Sequence, residues 1–239
     1  MGIGAGKVSD AIGNRNELAY TLQIRKLSRR PLDINCGLST SMRLLPFSAG
    51  PVITLIFWCA CAAWILPEII AWRVKRSTDS SKTRDQGSLN LIVVLWWVGI
   101  ATDFLVSLLF PHAALLWKRN SVFFAGILLM LLGVAVRWYS AAILGKYFTF
   151  DVAIQGGQTL IEAGPYRYIR HPSYSGALLS LLGFGLALGN WAGLAVALSC
   201  LGFAYAYRIP VEEAALTSAL GDNYKLYMKR TKRLVPYLF

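Results

Sequence analysis

Three long apolar runs, over 47–72, 89–110 and 122–144, decide the solvent in which this chain folds. Each reaches across about 30 Å of hydrocarbon at roughly 1.5 Å per helical residue. In lipid every backbone polar group has to be satisfied within its own segment, so these runs predict helices. Composition agrees: 56% of residues are apolar and only 15% charged. A soluble domain carries nearer a quarter charged residues. Pro67 is expected to kink the first run near one end.

Two shorter apolar segments follow, 174–188 and 191–207, joined by Gly189-Asn190. Helices of that length reach roughly 23–26 Å. The tight link makes them a helical hairpin over 174–207, just spanning or partly inserted. Glycines at 176, 183, 185, 189, 193 and 202 allow close backbone approach. The tail carries Leu216, Leu220, Tyr224, Tyr227 and Leu234 at roughly helical spacing, with Lys225, Lys229, Arg230, Lys232 and Arg233 facing elsewhere. That pattern suits an amphipathic helix over 211–232, lying on the membrane or capping a site. The fold expected is an all-α membrane protein: about five transmembrane or hairpin helices and a C-terminal amphipathic helix.

Three regions follow. Residues 1–47 form a basic leader, disordered or interfacial. Residues 48–144 hold three transmembrane helices. Residues 145–239 hold a polar loop, the hairpin and the tail. The opening Gly2-Ile3-Gly4-Ala5-Gly6-Lys7 is not a nucleotide loop, because no strand can precede it. No apolar core of signal-peptide kind lies within the first 30 residues. Met42 stands just before the first run and offers an alternative start.

The net charge of +12 would suggest nucleic acid in a soluble protein. Here the basic residues flank the apolar runs, as contact with anionic headgroups requires. No nucleic-acid-binding signature accompanies them. Arg73, Lys75, Arg76, Lys82 and Arg84 occupy the loop after the first run, whereas the link after the second holds only Lys118 and Arg119. The first loop, the loop over 145–172 and the tail therefore share the cytosolic side. The N-terminus would then lie outside despite its basic residues, a conflict that a start near Met42 removes. Cys36, Cys59, Cys61 and Cys200 have no zinc-site spacing and read as small buried hydrophobes.

Glu68, Asp103 and Arg137 interrupt apolar runs, and such charges are functional candidates. Asp103 and Arg137 differ in depth by roughly 12 Å, counting 1.5 Å per residue, which disfavours a direct pair. Arg137 is expected to line a cavity near the cytosolic face, and Glu68 to be solvated at the interface.

The densest polar and aromatic cluster is Gly164-Pro165-Tyr166-Arg167-Tyr168-Ile169-Arg170-His171-Pro172-Ser173-Tyr174-Ser175-Gly176. Pro172 suits a helix's first turn, and the free N–H groups of such a turn suit a carboxylate. The plain alternative is an interfacial aromatic belt. A second cluster is Arg208-Ile209-Pro210-Val211-Glu212-Glu213, continued by Leu216, Gly221, Tyr224, Tyr227, Arg230, Thr231, Arg233 and Pro236. Alone it could be a surface charge run.

Together, and with Arg137-Trp138 and Leu144-Gly145-x-x-Phe148-Thr149, these segments resemble the isoprenylcysteine carboxyl methyltransferase family. Phospholipid N-methyltransferases and sterol reductases share parts of the pattern. The resemblance implies a helical membrane methyltransferase that binds S-adenosyl-L-methionine without a Rossmann sheet. It places the cofactor against Gln158, Thr159, Leu160, Ile161, Tyr166, His171, Pro172, Ser173, Tyr174 and Glu212. It assigns Arg208 to the methyl acceptor, making Arg208 and Glu212 the catalytic pair, with no metal. Gln158 departs from the histidine common in the family. The acceptor implied is a C-terminal isoprenylcysteine carboxylate, entering between helices from the bilayer. The implied location is a multi-pass membrane protein with a cytosol-facing site, in the endoplasmic reticulum of a eukaryote or the inner membrane of a bacterium. Membrane lipids are the other partners expected, and nucleic acid is not one. Alternatives are a methyltransferase for a phospholipid amine or small thiol, a sterol-reductase-like oxidoreductase, and a non-enzymatic transporter or scaffold.

Overall fold

A computed structural model describes residues 50–74, 87–115, 118–148 and 159–236, all within one compact unit, Ser41–Phe239. The leader over 1–47, Gln158 and most of the basic first loop lie outside the described residues. So does the stretch of polar loop between Phe148 and Thr159.

The apolar runs form helices α1 (Pro51–Val74), α2 (Ser88–Leu109) and α3 (Arg119–Leu144). The hairpin forms α4 (Pro172–Leu188) and α5 (Trp191–Leu220). A short α6 (Asp222–Arg230) ends the helical part. Among the described residues no strand appears beyond two isolated bridges. α1, α2, α3 and α5 are long and apolar enough to cross a membrane, and α4 is shorter. Large apolar side chains such as Leu55, Leu128 and Phe203 are more than half exposed, as lipid-facing positions are. The chain is a multi-pass integral membrane protein.

Pro67 sits inside α1 without ending it. Pro210 does the same in α5, and here the expected boundaries change. In place of a hairpin arm ending at 207 and a separate helix over 211–232, one helix runs from Trp191 to Leu220. Proline removes one hydrogen bond but leaves the rest of the ladder intact. The break comes at Gly221, whose φ of +62° favours glycine.

Small residues seven apart bring α3 against α4. Gly126 and Gly133 on α3 face Gly176, Ser180, Gly183 and Ala187 on α4. A Cβ at Gly126 would sit 2.5 Å from the Ala187 nitrogen, and one at Gly176 would sit 2.7 Å from that of Arg137. α2 packs chiefly along α5. Between these pairs lies an aromatic core of Phe57, Trp64 and Phe184, with Trp64 edge-on to Trp96 at 5.5 Å. At one end of the bundle Gly189 takes φ +71° and Asn190 caps α5, accepting from the Ala192 and Gly193 amides at 3.0 and 3.1 Å. Asn190 also donates to the Phe110 carbonyl at 3.0 Å, tying the hairpin tip to α2.

One of the three interrupting charges behaves differently from expectation, and Asp103 does not pair with Arg137. Glu68 is not solvated: its side chain is 13% exposed and takes both ends of the Arg137 fork. Asp103 is fully buried, and neither carboxyl oxygen has a hydrogen-bond partner. Gly185 and Gly193 make room for it, since a Cβ at Gly193 would lie 2.8 Å from the Asp103 carbonyl. Cys59, Cys61 and Cys200 are free thiols.

Candidate functional site

The end of the bundle opposite Asn190 gathers the charged and aromatic residues. α4 starts there at Pro172, with His171 as its N-cap and no side-chain cap. Before it, Gly164–Arg167 make a single 3-10 turn. Gly164 has φ +57°, and a Cβ there would run into the Ile143 side chain. The turn buries Tyr166 against the end of α3, its hydroxyl donating to the Ser140 carbonyl at 3.4 Å.

A strap from the tail closes this segment. The Arg170 amide donates to the Lys232 carbonyl at 2.8 Å, the Lys232 amide to the Tyr168 carbonyl at 3.1 Å, and the His171 amide to the Arg233 carbonyl at 3.0 Å. The Tyr227 hydroxyl donates to the Tyr166 carbonyl at 2.6 Å. Burial holds the Tyr166, Tyr224 and Tyr227 phenols well above their ordinary range, so they stay O–H donors at working pH.

Two polar networks meet at the start of α4. In the first, Arg170 Nε donates to Glu213 Oε1 at 2.7 Å, and Arg233 Nη2 to Glu213 Oε2 at 3.0 Å. Arg170 also donates to the carbonyls of Met228 and Thr231. In the second, Arg208 Nη1 donates to Ser88 Oγ at 2.6 Å and Arg208 Nε to the Tyr174 hydroxyl at 3.3 Å. That hydroxyl donates in turn to Glu212 Oε2 at 2.7 Å. His171 lies between the networks. Its Nδ1 is 3.8 Å from Glu212, and its Nε2 is 3.4 Å from Glu213 without the geometry of a hydrogen bond. The rings of His171, Tyr174 and Tyr205 stack in a row, at 5.4 and 4.5 Å between centroids.

Beside this row is a cavity of about 310 Å3 between α1 and α2. Its wall is mainly aromatic and aliphatic, including Trp64, Ile92, Trp96 and Trp97. Tyr205, Glu68, Arg137 and the exposed Arg73 also line it. Arg137 Nη1 also donates to Ser173 Oγ at 2.9 Å, so the cavity wall touches the first turn of α4.

His171, Pro172, Ser173, Tyr174, Arg208 and Glu212 are thus brought together, with Tyr166 behind them. Thr159 is exposed and Leu160 and Ile161 are half-buried, outside both networks. The sequence reading did not single out Glu213 with Arg170 and Arg233, or Ser88. The adjacent glutamates were visible, but on α5 they point to different partners. The Glu68–Arg137 pair had a signal: Glu68 is six residues before the end of α1 at Val74, and Arg137 seven before the end of α3 at Leu144.

Comparison with known proteins gives a consistent picture. The phospholipid methyltransferase family model matches residues 121–223. A protein-S-isoprenylcysteine O-methyltransferase of Schizosaccharomyces pombe is 32% identical over 109 residues, covering 40% of this chain and 46% of the relative. A probable protein-S-isoprenylcysteine O-methyltransferase of Oryza sativa is 29% identical over 134 residues, covering 55% of this chain and 69% of the relative. The match thus spans about half the length of the fission-yeast protein. The solved eukaryotic intramembrane Ras methyltransferase, isoprenylcysteine carboxyl methyltransferase, has the same fold. It aligns with a TM-score of 0.55 at 24% identity, over 85% of this chain and 73% of that one. The resemblance carried by residues 164–176 and 208–236 is borne out.

Proposed function

We propose, from this kinship with the isoprenylcysteine carboxyl methyltransferases, that the chain is a membrane methyltransferase that esterifies the carboxylate of a lipophilic acceptor. The donor is S-adenosyl-L-methionine, and the acceptor a C-terminal isoprenylcysteine. The observation that carries the reading is the Arg208–Tyr174–Glu212 chain of hydrogen bonds beside an apolar cavity that shares Tyr205 with it. One site thus offers both charged groups and a slot for hydrocarbon.

The residues present suit such a donor. Glu212 is 29% exposed at its side chain and offers a carboxylate to the donor's ammonium or ribose hydroxyls. His171 Nε2 is buried without a hydrogen-bond partner, and no described side chain caps the first turn of α4. That turn suits the donor's carboxylate. When bound, the donor supplies a methyl group on a sulfonium, open to in-line displacement. The acceptor carboxylate is already ionised at neutral pH, so no base is required. What the chain contributes is alignment, which is worth several kcal/mol. Arg208 orients the acceptor carboxylate through its planar fork. Tyr174 ties Arg208 to Glu212, and so fixes the acceptor side against the donor side. The cavity takes the acceptor's chain and keeps water from the reacting groups. The basic end of the bundle, with Arg73, Arg230, Lys232 and Arg233, faces the cytosol by the positive-inside rule.

Calorimetric titration of S-adenosylhomocysteine into purified protein tests the donor site. Wild type is expected to bind and Glu212→Gln to bind at least tenfold more weakly; no binding by wild type overturns the reading. A labelled-methyl assay with prenylcysteine analogues of decreasing tail length tests the acceptor. Turnover that does not depend on the tail counts against the cavity's role.

A further inference from the structure

Three arginines stand where a carboxylate entering from the bilayer could meet them. Arg73 also lines the cavity, but it is exposed and its charge is screened by water. Arg208, on the reading above, is the productive one. Arg137 lines the cavity itself, on the path an acceptor would take. A planar guanidinium binds a carboxylate through two parallel hydrogen bonds, and does so best away from water. An acceptor that docked head-first on Arg137 would leave its carboxylate in the wrong place.

The fork of Arg137 is filled by the protein's own carboxylate. Arg137 Nε donates to Glu68 Oε1, and Nη2 donates to Glu68 Oε2 at 2.8 Å. Both side chains line the cavity and are 12% and 13% exposed, so the pair faces the slot rather than being sealed in the core. Helix packing alone gives little reason for such a pair. Buried ion pairs add little over apolar residues of similar size, and α1 already packs through Phe57 and Trp64. The third nitrogen of Arg137 is held by Ser173, both at its Oγ and at its carbonyl, 3.3 Å away.

We infer that Glu68 is a specificity-determining residue of this site. It holds Arg137 neutralised, so that the cavity accepts hydrocarbon and refuses carboxylate heads. The inference rests on the methyltransferase reading for its purpose, but its test does not. The acid in question is any anionic amphiphile of the membrane, acceptor or fatty acid alike. Glu68 does not touch the reacting atoms; it acts through Arg137.

The probe is 9,10-dibromostearate, compared with its methyl ester. Bromine quenches the tryptophans it touches, and Trp64, Trp96 and Trp97 line the cavity. Titrations use the full chain in neutral-lipid nanodiscs at low probe fraction, and they read the ratio of acid to ester affinity. In wild type the acid is expected to bind no better than the ester. In Glu68→Gln the acid is expected to gain tenfold or more while the ester is unchanged, and in Glu68→Gln with Arg137→Gln the gain should vanish. Glu68→Asp withdraws the carboxylate by one methylene, and an intermediate gain is expected, which keeps the test open if the glutamine variant does not fold. An acid-to-ester ratio equal to wild type in Glu68→Gln, or in Glu68→Asp if that alone folds, overturns the inference. Absence of methyl transfer with the charge effect intact overturns the functional reading instead.

Discussion

Glu213→Gln loosens the strap that closes the site, and the size of the effect follows from its partners. Glu213 receives Arg170 at 2.7 Å and Arg233 at 3.0 and 3.3 Å, with its own side chain 9% exposed. Removing one partner of a buried ion pair costs about 3–5 kcal/mol. Here the loss is smaller. Arg233 is 39% exposed and its share is screened by water. Arg170 keeps the Met228 and Thr231 carbonyls, and glutamine keeps one acceptor oxygen. That leaves about 2 kcal/mol, or roughly thirtyfold in an equilibrium constant. The loss falls on the three backbone bonds between 168–171 and 232–233, because only these and side-chain contacts hold the strap. Hydrogen exchange of peptides covering 166–176 and 228–236 reads it directly. Both are expected to exchange about thirtyfold faster, while peptides of α2 stay unchanged. Equal protection in variant and wild type would mean that Glu213 does not hold the strap, and the two-network description would fail.

Arg208→Ala is expected to leave S-adenosylhomocysteine binding within threefold of wild type and to lower methyl transfer by at least a hundredfold; calorimetry and the labelled-methyl assay read the two separately. Gly133→Ala puts a methyl group 2.5 Å from the Gly176 carbonyl, a contact that only separation of α3 from α4 relieves. Overpacking of this kind costs about 1–3 kcal/mol, so thermal unfolding in detergent should fall by several degrees; a midpoint within one degree of wild type would sink it. Asp103→Asn keeps the shape of a side chain whose oxygens have no hydrogen-bond partner and removes its capacity for charge. Its unfolding midpoint is expected to equal or exceed that of wild type, and a fall of several degrees would show that the carboxyl holds something.

The helices were legible because hydropathy reports burial in lipid directly. The run over 89–110 became Ser88–Leu109 and that over 122–144 became Arg119–Leu144. Pro210 misled, because proline forbids one hydrogen bond but does not forbid a helix whose neighbours pack on both sides of it. The site was half legible. His171, Tyr174, Arg208 and Glu212 could be named from their segments, which the hairpin was expected to bring together. The pairing of Glu68 with Arg137 was not legible, since the two stand sixty-nine residues apart on different helices. Their similar depth, six and seven residues from the ends of α1 and α3, is the signal that points to the pair.

The strap also sets an order of events. Arg170 and His171 are made well before the residues that hold them, Thr231 following Arg170 by sixty-one positions. All five membrane helices and α6 intervene or precede. A growing chain therefore has all its described helices made before the start of α4 can meet its closing backbone partners. Its closing bonds thus depend on residues made after the helices they join. A chain ending after α5 would hold the five longer helices but none of the backbone bonds that close the start of α4.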